Sequence, residues 1–175
     1  MNTQLTDINT QLSNCVIPKL LSGRLKKDCE LLLDKGGTIN IKNDIGNKHI
    51  IIELSRQEGL YINKYCFMVP LDYPFLPPKI KINETEYINF CILRSDRFVT
   101  ALKYIKGIEC LCCHSYMCKI NWTPGLNLNH ILIQINEYKK IKYNIALKIL
   151  ADKIKEKYLN SYIDLDSWLY LIQKS

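Results

Sequence analysis

The chain has 175 residues, 47% of them hydrophobic and 23% charged, which is enough apolar material for one core and too little length for two. Its apolar runs, such as 50–52 and 131–133, fall far short of the roughly 20 residues of a bilayer-spanning helix, so no membrane segment is expected. The 24 basic and 17 acidic residues give a net charge of +7, spread along the chain without the dense basic stripe and interleaved aromatics of a nucleic-acid binder. That distribution describes a solvated, mildly basic face, which also suits an acidic protein partner.

The N-terminal stretch MNTQLTDINTQL has no basic segment followed by an apolar one. It does not resemble a secretory signal, and a reducing compartment, cytoplasmic or nuclear, is expected. The eight cysteines are therefore read as mostly thiols, with Cys15, Cys29, Cys66 and Cys91 as small apolar fillers. Residues 12–33 space Leu12, Val16, Leu20, Leu21, Leu25, Leu31 and Leu32 along one helical face, disturbed at Pro18 and Gly23, and Gly36-Gly37 supplies a stop. From Thr38 the period becomes two, so that Ile39 and Ile41 share a strand face. Further strands are expected over 48–55, 60–69 and 79–83, with turns at 44–47 and 56–59, giving an antiparallel meander.

Between the third and fourth strands lies the loop Pro70-Leu71-Asp72-Tyr73-Pro74-Phe75-Leu76-Pro77-Pro78. Its four prolines fix their own φ and push their predecessors toward extended geometry, while Tyr73 and Phe75 offer aromatic area to bury. Residues 107–134 then hold Cys110, Cys112, Cys113 and Cys118 ahead of Trp122-Thr123-Pro124. Such density fits thiol chemistry, a metal site or a buried knot. A zinc site would draw on Cys110, Cys112 or Cys113, His114 and Cys118, but structural zinc usually takes two separated ligand pairs, and here one crowded segment would supply all of them. No metal and no cofactor are therefore expected. His49 and His130 stand alone, in a strand and a helix. After the turn, Leu126, Leu128, Ile131, Leu132 and Ile135 form a helical stripe, with Asn127 or Asn129 as its cap. Two more helices are expected over 146–158 and 165–172, the latter anchored in the core by Trp168.

The order of helix, meander, Tyr73-Pro74-Phe75-x-Pro77-Pro78, short strand, Gly107-x-x-Cys110-Leu111, Trp122-Thr123-Pro124 and amphipathic helix resembles the ubiquitin-conjugating enzyme family over residues 12–140. The CLCC passage ahead of the tryptophan is similar to that of divergent members from large DNA viruses, for which host cytoplasm would be the compartment. The resemblance implies a single α+β domain with an N-terminal helix, an antiparallel four-stranded meander and C-terminal helices. Residues 84–99 would be an insertion and 142–175 a helical tail. It implies Cys110 as the catalytic cysteine, a thioester acceptor for ubiquitin or a ubiquitin-like modifier. The implied partners are an activating enzyme and a RING-type ligase, with no membrane or nucleic acid.

The chain departs from the family where His-Pro-Asn is expected, because Thr100-Ala101-Leu102 stands there. The conjugating enzyme of the ubiquitin-fold modifier has a similar Thr-Ala-x triplet. Loss of a side chain supporting the oxyanion removes a contribution of about 3 kcal/mol in other acyl-transfer enzymes. A few extra residues separate Cys110 from Trp122, so counting back from the tryptophan lands near His114, whereas counting forward from Gly107 selects Cys110. Two other readings stay open: a non-charging adaptor of the same fold, and a zinc-stabilised interaction domain.

Overall fold

A computed structural model describes residues 2–15, 17–34, 36–44, 46, 48–118 and 120–158. The chain divides into two compact units, one formed by residues up to 90 with 115–133, the other by 91–114 with the residues from 134 onward. The elements in order are α1 (Asn2–Ser13), α2 (Lys19–Leu33), β1 (Thr38–Asp44), β2 (His49–Glu58), β3 (Tyr61–Pro70), β4 (Lys79–Ile82), β5 (Thr85–Glu86), α3 (Tyr87–Cys91), α4 (Asp96–Lys106) and α5 (Leu128–Tyr158).

The expected helix over 12–33 is two helices. Pro18, with φ −55° and ψ 139°, forms the N-cap of α2, because its ring cannot continue a preceding helix but suits the start of a new one. Gly23 lies inside α2 and breaks nothing. The five strands form one sheet in the order β1-β2-β3-β4-β5, antiparallel throughout. Its register explains the sequence alternation. Ile41 faces Ile52, Ile52 faces Phe67 and Phe67 faces Ile80, so one row of paired side chains crosses four strands, and all four are buried. Leu54, Tyr65 and Ile82 make a second buried row. Entry into β1 depends on Gly37, which has φ +126° and sits where a Cβ would meet the Ser55 carbonyl oxygen at 2.7 Å.

The expected meander of four strands gains a fifth, and residues 84–99, expected as an inserted loop or hairpin, hold β5, α3 and the first turn of α4. Asn83 and Glu84 both have positive φ, which makes the β4–β5 connection a tight hairpin of the kind that matches sheet twist. Asn83 fixes it further by accepting from the Lys64 backbone N–H through Oδ1 and donating to Asn63 through Nδ2.

The helices expected separately over 126–135 and 146–158 are one continuous α5 of 31 residues. Asn127 Oδ1 accepts from the His130 backbone N–H, and His130 Nδ1 accepts from the Asn127 backbone N–H, so His130 is half of a reciprocal helix cap. Residues 165–172, with Trp168, lie outside the described residues.

Candidate functional site

Two of the sequence motifs meet in the first unit. The Trp122 indole N–H donates to the Pro74 carbonyl at 2.8 Å, and the Tyr73 and Trp122 rings lie 6.1 Å apart, tilted by 44°. The proline-rich loop and the Trp-Thr-Pro turn are thus joined by a part-buried hydrogen bond and an aromatic contact. Within this loop Tyr73 is buried, but Phe75 is 74% exposed, contrary to the expectation that both rings would be covered.

Beneath Tyr73 lies a charged network that sequence reasoning missed. The Tyr73 hydroxyl donates to Asp28, which is only 1% exposed, and Arg24 pairs with the other Asp28 oxygen at 3.4 Å. Arg24 also donates to the Leu126 carbonyl at 2.7 Å and lies 5.9 Å from the Tyr73 ring centroid. Burial raises the Asp28 carboxyl above its ordinary range, with the Tyr73 hydroxyl and the Arg24 charge acting against that rise. A signal was present: Leu21, Leu25, Asp28, Cys29 and Leu32 share one helical face, so the aspartate falls among residues that must be buried.

The cysteine passage begins in the second unit, where Gly107 ends α4 in the left-handed conformation, φ 70°, and its N–H donates to the Lys103 carbonyl. The following residues lack regular structure, yet they are held. Leu111 is fully buried, and its carbonyl accepts from the Tyr138 hydroxyl at 2.9 Å. Gln134, one turn earlier on α5, donates to the His114 carbonyl at 3.3 Å. Two side chains from one helix face therefore grip both ends of the cysteine turn.

That turn gathers the sulfur atoms of Cys110, Cys112 and Cys113, all within 4.8 Å of one another. Cys110 and Cys112 are in direct contact, paired as a disulfide, and Cys112 and Cys113 are 3.9 Å apart. The Cys113 backbone N–H donates to the Cys110 sulfur at 3.4 Å. Cys110 is half-buried, so its sulfur is neither sunk in a core nor freely displayed. Among the described residues, His114 and Cys118 are not members of this group. The other six cysteines are in no disulfide, in keeping with the expectation that most are thiols, and within the pair Cys110 is a nucleophile only when reduced.

Of the four cysteines expected as fillers, Cys29 and Cys91 are buried, while Cys15 and Cys66 are half-buried. Burial pushes the Cys29 thiol up to about 12 and also raises Cys15 and Cys66, which leaves them protonated and poorly nucleophilic near neutrality.

Thr100-Ala101-Leu102 lies inside α4, capped at its start by Ser95, whose hydroxyl accepts from the Phe98 N–H. Ala101 and Leu102 are buried, and Thr100 lines a groove of about 490 Å³ together with Tyr104, Lys148 and Asp152. Backbone N–H groups in a helix interior are engaged with carbonyls one turn back, so the backbone of this triplet presents no free donor to an oxyanion, and its only polar side chain is the exposed Thr100 hydroxyl.

The architecture is that of an α+β protein with an antiparallel five-stranded sheet and helices at both ends. No protein family, curated protein or solved structure matches the chain. Among the described residues, no helix is long and apolar enough to cross a membrane.

Proposed function

We propose that this chain is an acyl-transfer protein of the ubiquitin-conjugating type. In its reduced form Cys110 accepts the C-terminal acyl group of ubiquitin or a ubiquitin-like modifier from the thioester of an activating enzyme. The attacking thiolate displaces the activating enzyme's thiolate, and a substrate lysine amine later displaces Cys110, so one thioester is exchanged for another and then for an amide. The observation that carries this reading is the joining of two separate family-like motifs, Tyr73-Pro74-Phe75-x-Pro77-Pro78 and Trp122-Thr123-Pro124, through the Trp122 to Pro74 hydrogen bond and the Tyr73 contact.

The half-buried Cys110 and the nearby Cys113 N–H support its role as the acceptor, since a backbone donor stabilises a thiolate. A second reading, a non-charging adaptor of the same fold, is favoured by the helical Thr100-Ala101-Leu102 segment, whose backbone N–H groups are engaged within the helix. Incubation with activating enzyme, ATP and modifier, followed by a non-reducing gel, separates the two. The acyl-transfer reading expects a thiol-sensitive adduct in the wild type and none in Cys110→Ser; no adduct with ubiquitin or any ubiquitin-like modifier supports the adaptor.

A further inference from the structure

We infer that Cys110, Cys112 and Cys113 form a three-thiolate site for one soft metal ion, Zn²⁺ or Cu⁺, with the remaining coordination position open to solvent. Three sulfur atoms within 4.8 Å of one another, from a span of four residues, suit such an ion. With a zinc–sulfur bond of about 2.3 Å, two sulfurs sharing a tetrahedral ion stand ~3.8 Å apart. The Cys112 to Cys113 separation of 3.9 Å already has that value.

The surrounding structure favours the charged sulfurs. The Cys113 N–H donates to Cys110, and such a bond offsets negative charge on a metal-bound thiolate. The turn that carries the three cysteines is pinned through the Leu111 and His114 carbonyls by Tyr138 and Gln134, so less ordering remains for the ion to impose. Binding by three thiols releases three protons to solvent and leaves the sulfurs as thiolates, with no change in oxidation state. The ion takes the place of the Cys110–Cys112 disulfide, so the site exists only in the reduced protein. If Cys110 is the acyl acceptor, a consequence that rests on the proposal above, metal and modifier compete for one sulfur.

The test is a titration of the reduced full-length chain with Co²⁺ alone and then with Zn²⁺, followed by absorption spectroscopy. One Co²⁺ per chain is expected, with thiolate charge-transfer bands that Zn²⁺ abolishes. Cys112→Ser and Cys113→Ser should each weaken binding by roughly a hundredfold, while Cys66→Ser leaves it unchanged. Far-UV circular dichroism establishes that each variant is folded, and because Cys113 is exposed its replacement leaves the core intact. The inference is overturned if both cluster variants bind as the wild type does. It is equally overturned if no ion binds while all three thiols react, or if the intact mass stays short of the fully reduced value in strong reductant. Neither activating enzyme nor modifier enters this titration, so it can fail while charging succeeds, and the reverse.

Discussion

Replacing Tyr73 by Phe tests the buried network beneath the proline-rich loop. The substitution removes one hydroxyl and little volume, so its effect is carried by the hydrogen bond to Asp28, a carboxyl that is 1% exposed. A hydrogen bond to a charged group contributes about 1.5 to 3 kcal/mol, and where Asp28 is ionised a loss of about 2 kcal/mol lowers the folded-to-unfolded ratio roughly thirtyfold. The sign of the pH dependence follows from linkage. Burial already holds the Asp28 carboxyl above its ordinary value, and removing a group that acts against that rise lifts it further. Between the two raised values the folded variant binds more protons than the folded wild type, so acidification favours the variant. Urea unfolding should therefore give a wild-type advantage that is full above both values and shrinks as the pH falls through them. The same logic makes the wild type lose stability relative to Asp28→Asn as the pH rises from about 3.9 through the folded Asp28 value. In a double-mutant cycle Tyr73→Phe and Asp28→Asn should couple by about 1 to 2 kcal/mol. Destabilisation by Tyr73→Phe of less than about 0.5 kcal/mol, a loss indifferent to pH, or strict additivity would refute the network.

Other consequences follow from the same packing. Trp122→Phe removes the donor to the Pro74 carbonyl and some buried area, and should cost about 2 kcal/mol in chemical denaturation. Tyr138→Phe leaves the Leu111 carbonyl without its hydroxyl donor; a loss of about 1 to 2 kcal/mol is expected, together with altered alkylation rates at Cys110, Cys112 and Cys113. Under reducing conditions near neutral pH, mass-spectrometric mapping of iodoacetamide labelling should find Cys113 modified well before Cys29, whose thiol burial pushes up to about 12. Equal rates in the folded protein would contradict that assignment.

Much of the sheet was legible because it buries one face. The alternation around Ile41, Ile52 and Phe67 is the sequence image of a row of cross-strand partners, and their register follows from burying that face. β5 was not legible: it has two residues, and its turn uses Asn83-Glu84 where an Asn-Gly pair would have signalled a hairpin. α4 was missed even though Ser95 and Gly107 mark its two ends, because the segment was read for the Thr100-Ala101-Leu102 triplet and not for its periodicity. The length of α5 was obscured because the segment after Ile135 was read as a separate tail, although no Pro or Gly occurs between Leu128 and Tyr158.

The site was legible only in part. The sequence singled out the cysteine passage and both motifs that meet at Trp122, since composition alone makes them conspicuous. Which sulfurs converge depends on an irregular turn with no period, shaped by burial of Leu111 and by Gln134 and Tyr138 reaching it from α5. Asp28 was hidden differently. It lies at a core position of α2, where Arg24 one turn earlier and the hydroxyl of Tyr73, 45 residues later, make its burial tolerable.

The account depends most on Cys110, and intact-mass measurement of the reduced chain after incubation with activating enzyme, ATP and modifier tests it directly. The expected product is heavier by one modifier less one water, returns to the starting mass on addition of excess thiol, and does not form as a thiol-labile species in Cys110→Ser. A thiol-labile adduct that persists in Cys110→Ser, or a wild-type chain that keeps its starting mass with every modifier, would contradict the account.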